Sequence, residues 1–269
     1  MQRLYFMPDF PLPGAPRTPD DQAARSLHPV KRRSFLQYAG ASAGAVALVL
    51  VGCDKDDDKA PEPTTVEVGS GEGGVLNLAY ALEQLESAFY RALRDGSYYK
   101  GLSAGSAEKQ VLDDLFLHEL IHADFFKSII TSGAIKVLEA DFSTIDFDVR
   151  LSAAGAPKLG VLNAAQMFED LGVAAYNGAA RFITSPNTLA LAGKIVSVEA
   201  RHAALIRDLV AYNSFVAPAV VDVFSPAASN VPGEGTGTGL ELSKTPAQVI
   251  ALVNPYLKEG SKLTAAGLV

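Results

Sequence analysis

The chain has one cysteine, no tryptophan and only four histidines in 269 residues. A single thiol excludes a fold stapled by intrachain disulfides, and it equally excludes a rubredoxin-like iron centre held by four thiolates. Positive charge is also in short supply: 23 Lys and Arg against 30 Asp and Glu leave a net charge of -7. Nucleic-acid binding needs a basic face to meet phosphates, which this composition does not offer, so small molecules and ions are the expected partners. What the chain does have is apolar residues, 48% of the total, enough for one core of ordinary size with extensions.

Long hydrophobic runs are few as well. The conspicuous uncharged run, Ala39 to Gly52, is too short to span a bilayer comfortably as a helix. It follows Lys31-Arg32-Arg33-Ser34-Phe35-Leu36 and ends in Leu50-Val51-Gly52-Cys53. The paired arginines resemble a twin-arginine export signal, with Lys31 where Ser or Thr is usual and Gln37 where Lys often stands. The last four residues resemble the lipobox of bacterial lipoproteins. These resemblances imply that residues 1–52 are a signal peptide, that Cys53 is the lipidated first residue of the mature chain, and that the protein is exported and lipid-anchored to a bacterial membrane, on the periplasmic or cell-surface side. The 30 residues ahead of Lys31 are long for such a signal and point to a translation start further downstream. Cleavage before Cys53 removes six basic and three acidic residues, taking the charge from -7 to -10. Residues 53–74, with an Asp run, Pro61, Pro63 and GSGEGG, read as a flexible acidic tether, because they hold too little apolar surface to bury.

From residue 75 the period becomes helical. Val75, Ala79, Leu82, Glu86, Phe89 and Leu93 share one face of a first helix ending near Gly96. A second helix starts after the N-cap Ser106 and runs towards Gly133, with Val111, Leu115, Glu119, His122 and Phe126 inward. Residues 134 to about 158 lose the period, and extended at ~3.3 Å per residue they could run the length of a bundle. A third helix covers about 162–183, with Ala165, Phe168, Glu169, Gly172, Val173 and Tyr176 inward. A fourth opens at Ser185-Pro186 and continues to about Asn213, its apolar face made by Leu189, Leu191, Ile195, Val198, Glu199, His202, Leu205, Ile206 and Leu209. Residues 214–269 add a Gly-rich loop and one short helix, read as an extension packed on the bundle.

Polar residues on these inward faces carry the chemistry. Glu119 and His122 are three apart, as are Glu199 and His202, so each pair shares a helix face and can grip one ion. Helix one supplies Glu83 or Glu86, and helix three supplies Glu169. Four carboxylates in a core are costly unless protonated or paired, and no Lys or Arg falls on these faces, Arg201 being turned away. Divalent metal is the expected counter-charge. His118 falls on a different side from Glu119 and reads as a surface or helix-packing residue.

The order Glu, Glu-x-x-His, Glu, Glu-x-x-His over about residues 75–213 resembles the ferritin-like di-iron and di-manganese carboxylate proteins. More narrowly, NLAYALEQLESAFYRAL, LFLHELIHADFF, MFEDLGVAAYNGA and VSVEARHAALI look like the exported ferritin-like family related to plant desiccation-associated proteins. The resemblance implies an all-α fold: a ferritin-like four-helix bundle with one long crossover between helices two and three, plus a C-terminal extension. Carried over residue by residue, the implied metal ligands are Glu83, Glu119, His122, Glu169, Glu199 and His202. Glu83 is favoured over Glu86 because Tyr90, seven residues on, stands where that family commonly has a tyrosine beside the metals.

Mixed carboxylate and imidazole ligation suits two Fe ions, or Mn as the alternative, better than a closed zinc site. The implied activity is oxidation of ferrous iron or reduction of oxygen or peroxide in stress protection. A lipid-anchored chain with a long crossover and a tail is ill suited to a closed storage cage, which leaves a homodimer as the assembly to consider. The alternative function is a non-catalytic desiccation or stress protein whose bundle is structural and whose metal serves stability alone.

Overall fold

The computed structural model describes residues 65–222 and 237–269, all within one unit that runs Lys59–Val269. The expected signal peptide and Cys53 lie outside the described residues. Among the described residues, no helix is long and apolar enough to cross a membrane.

Four long helices make the body: α1 (Gly71–Asp95), α2 (Ala107–Ile129), α3 (Val161–Ala179) and α4 (Pro186–Val210). Their starts follow local chemistry. Ser106 and Ser185 accept from the backbone N–H three residues on, at Lys109 and Thr188, each at 3.3 Å, and Pro186 fills the first helical position of α4. Side chains at a helical period of three and four then close the core, with Leu78, Leu82, Leu85, Phe89 and Leu93 of α1 all buried. Phe89 anchors an aromatic cluster with Tyr90, Phe142, Phe147 and Phe168, ring centroids 5.1–6.0 Å apart.

The link between α2 and α3 is the long crossover expected from its loss of period. α2 stops at Ile129, short of Gly133, because the chain turns there to lie along α1. Buried Asn77 staples it: its amide donates to Gly133 O at 2.9 Å and its carbonyl accepts from Ile135 N at 3.1 Å. Further along, Leu138 N donates to Gln84 Oε1 at 2.9 Å, and Asp148 accepts from Ser97 N at 3.1 Å. Contacts from Asn77 to Ser97, just past the end of α1, follow about 27 Å of its axis, so α2 and α3 are not hairpin neighbours. The crossover ends in a two-residue parallel pairing of β2 (Ile145–Asp146) with β3 (Leu159–Gly160).

Two boundaries differ from the sequence expectation. Residues 65–74 were expected to be tether, but Thr65–Glu67 form β1, which pairs in parallel with β4 (Lys262–Thr264), and α1 already begins at Gly71. The reason is a partner distant in sequence: β4 supplies the ladder, Val68 is fully buried, and Glu72 accepts hydrogen bonds from Ser185 N and Thr188 Oγ1 at the start of α4. Secondly, the expected apolar face of α4 is only partly covered, Leu189 being 47% and Leu205 43% exposed.

The C-terminal residues belong to the same core. α5 (Pro246–Val253), opened by a Thr245/Gln248 capping box, buries Val249, Ile250 and Val253, and Leu257, Leu263 and Leu268 follow them inward. Lys244 N donates to Ala174 O at 3.0 Å, an approach so close that a Cβ at Gly178 would lie 1.8 Å from Lys244 O.

Candidate metal centre

Glu83, Glu119, Glu169 and Glu199, one from each long helix, are completely buried, and His122 and His202 are 7% and 5% exposed. The helices that bring them together run antiparallel across the centre, since Tyr90 of α1 meets Glu169 of α3 while Tyr176 of α3 meets Glu83 of α1. In each case the tyrosine hydroxyl donates to Oε1 of the glutamate on the opposite helix.

The remaining oxygens face the imidazoles. His122 Nδ1 lies 2.8 Å from Glu199 Oε1, 3.3 Å from Glu83 Oε2 and 3.4 Å from Glu119 Oε2. His202 Nδ1 lies 2.8 Å from Glu119 Oε1 and 3.5 Å from both Glu169 Oε2 and Glu199 Oε2. Glu119 and Glu199 thus turn one oxygen to each ring, while Glu83 and Glu169 serve one side apiece. Two groups result, Glu83-Glu119-His122-Glu199 and Glu119-Glu169-Glu199-His202, each of which could hold a metal ion.

The donor set passes a physical test for metal. Glu83 Oε2, both oxygens of Glu119 and of Glu199, Glu169 Oε2, and Nδ1 of His122 and of His202 are buried yet lack aligned hydrogen-bond partners. Buried polar atoms are rarely left so, and here the unaligned atoms converge on shared space. Their closest separations match the about 3 Å between neighbouring ligand atoms around an ion bound at about 2.1 Å. Among the described residues the only ion pairs these glutamates make are with His122 and His202.

In the metal-free protein the charges must share protons. Burial pushes Glu83 well above the ordinary carboxylate value, and burial with neighbouring carboxylates pushes Glu169 up to about 8. Burial works against charged imidazoles, but the surrounding carboxylates overcome it and hold both His122 and His202 up at about 12. Glu119 goes the other way: burial opposes its charge, yet the two imidazoles bring it down to about 2.

All six expected ligands are therefore brought together. Glu86, the competitor on helix one, is 3% exposed but in neither four-residue group. It is pushed well above the ordinary carboxylate value by burial and by Glu119 and Glu83, and its Oε1 sits 3.1 Å from where a Cβ at Gly172 would be. A Cβ there would crowd the carboxyl, so the glycine gives it room. Tyr90 binds the carboxylate of the opposite helix, a partner that spacing along helix one cannot reveal. His118 is exposed as expected, but its Nδ1 is 2.9 Å from His202 Nε2. The available signal for that role was its place four residues before His122, on the same helix face.

A helical bundle that buries four glutamates and two histidines at one centre has donors that could hold metal ions. The model of the ferritin-like domain matches residues 71–212, and the chain belongs to that family. No curated protein matches the chain.

Proposed function

We propose that the protein binds two Fe ions, with Mn as the alternative, and works as an exported oxidoreductase that oxidises ferrous iron or reduces oxygen or peroxide in stress protection. The observation that carries the reading is the set of buried, unaligned carboxylate oxygens and imidazole nitrogens aimed at two adjoining positions. Iron or manganese held there would supply one-electron steps towards oxygen or peroxide.

The chain's own residues do the rest. Glu119 and Glu199 span both positions, and His122 with Glu83, and His202 with Glu169, complete one each. Tyr90 and Tyr176 hold Oε1 of Glu169 and Glu83, which leaves Oε2 of each carboxylate turned inward. Complete burial of the four glutamates keeps bulk water from competing for the same positions. Export and a lipid anchor at Cys53 are part of the proposal on the strength of residues 31–58 alone.

The test is metal content by plasma mass spectrometry, beside a Glu119→Ala, Glu199→Ala double variant. About two Fe or Mn ions per chain, lost in the variant, followed by ferrous-iron oxidation or peroxide consumption, is the expected result. Equal stability and no metal in both proteins would overturn it. A structural, desiccation-associated bundle is favoured by one observation, the sparse apolar packing of α4; metal bound in full without turnover would decide for that reading.

A further inference from the structure

The centre repeats itself. Glu83 and Tyr90 on α1 recur as Glu169 and Tyr176 on α3 at the same spacing of seven, and Glu119-x-x-His122 on α2 recurs as Glu199-x-x-His202 on α4. The reciprocal tyrosine bonds and the crossed imidazole–carboxylate approaches follow the same two-fold pattern. At the position before the bridging glutamate the pattern breaks: α2 has His118 where α4 has Val198.

The break has a geometric result. His118 Nδ1 is 2.9 Å from His202 Nε2, with the rings nearly coplanar, 22° between planes and 5.1 Å between centroids. Among the described residues no side chain makes such a bond to His122 Nε2. With Nδ1 of His202 turned to three carboxylates, a metal at that nitrogen leaves the ring proton on Nε2, where it is donated to His118 Nδ1. Such an outer partner fixes the tautomer and ring orientation of a ligating histidine and raises its basicity.

We propose that His118 is a positioning residue that makes the two ion positions unequal, so that the Glu119-Glu169-Glu199-His202 position binds more tightly and fills first. The inference rests on the dinuclear reading given above. Because His118 is exposed while His202 is buried, the same bond also joins the stronger position to the protein surface.

The test is titration of the metal-free full chain with Co(II), read by absorbance and by proton NMR of the paramagnetically shifted imidazole N–H signals. The wild type takes up Co(II) in two steps about 10- to 100-fold apart, with one slowly exchanging N–H signal. His118→Ala weakens the first step by that factor, merges the two, and removes the slow N–H; His118→Asn, which keeps an acceptor, restores part of the gap. Val198→His gives His122 an equivalent partner and narrows the gap by strengthening the second step. Two steps that neither His118→Ala nor Val198→His moves would overturn the positioning role and leave the dinuclear reading standing. A wild-type chain that takes up no Co(II) would overturn both.

Discussion

Helices α1 and α4 have the same length, 25 residues, and each delivers buried glutamate to the same centre, but they are held there by different forces. α1 buries fifteen residues, most of them apolar, whereas α4 buries five: Glu199, His202, Ala203, Ile206 and Arg207. Of those five, two are expected metal ligands and a third, Arg207, makes a bidentate pair with Asp170 at 2.6 and 2.7 Å. The start of α4 is tied down by Glu72 of α1. One helix is thus docked by the hydrophobic effect and the other by polar anchors, so metal bound as proposed would matter to their stability unequally.

The largest effect should come from breaking the apolar docking. Phe89→Ala, at a fully buried ring packed on four other aromatics, is expected to cost about 3–5 kcal/mol in denaturant unfolding, with or without metal. Metal removal sharpens the contrast. At a free metal concentration about a thousandfold above Kd, binding adds about 4 kcal/mol, and its loss on chelation should raise amide exchange in α4 well before α1. Parallel loss of protection in both helices would show that α4 is not anchored through the centre.

The pH dependence should change sign with metal. In the metal-free chain Glu169 is held at about 8 against an ordinary 4.5, so folding keeps a proton that the unfolded chain releases, and stability falls as pH rises from about 4.5 towards 8. His122 and His202, held at about 12 against 6.5, act in the same direction from about pH 6.5 upward. Glu119, at about 2, has the opposite sign, and its contribution is lost only as pH falls from 4.5 towards 2. Metal requires deprotonated ligands, so its stabilisation grows with pH. Unfolding midpoints at about pH 5 and pH 8 should therefore fall without metal and rise with it; equal slopes would contradict the assignment. The smallest effect belongs to the uncovered face: Leu189→Ala should stay within about 0.5 kcal/mol in the same assay.

Much of this was legible from residue order. Helical periods, the serine caps and the loss of period after α2 are local signals, and they predict the four helices and the crossover. The extended N-terminal segment was missed because its stabilising partner, β4, is nearly 200 residues away in the chain. The coverage of α4 was overestimated because an apolar stripe says that a face should be buried, not that an element arrives to cover it.

By itself, then, the sequence determined that four carboxylates and two imidazoles must face inward, since spacings of three, four and seven along a helix fix the face on which a side chain sits. Distances between helices follow no such rule. Only the tertiary structure decided that Glu83 rather than Glu86 approaches His122, that each tyrosine bonds the glutamate of the opposite helix, and that Gly172 makes room for a fifth carboxyl. It also carried His118 of α2 to the outer nitrogen of His202 of α4, a contact between residues 84 positions apart that depends on how two antiparallel helices are offset, which neither helix encodes alone.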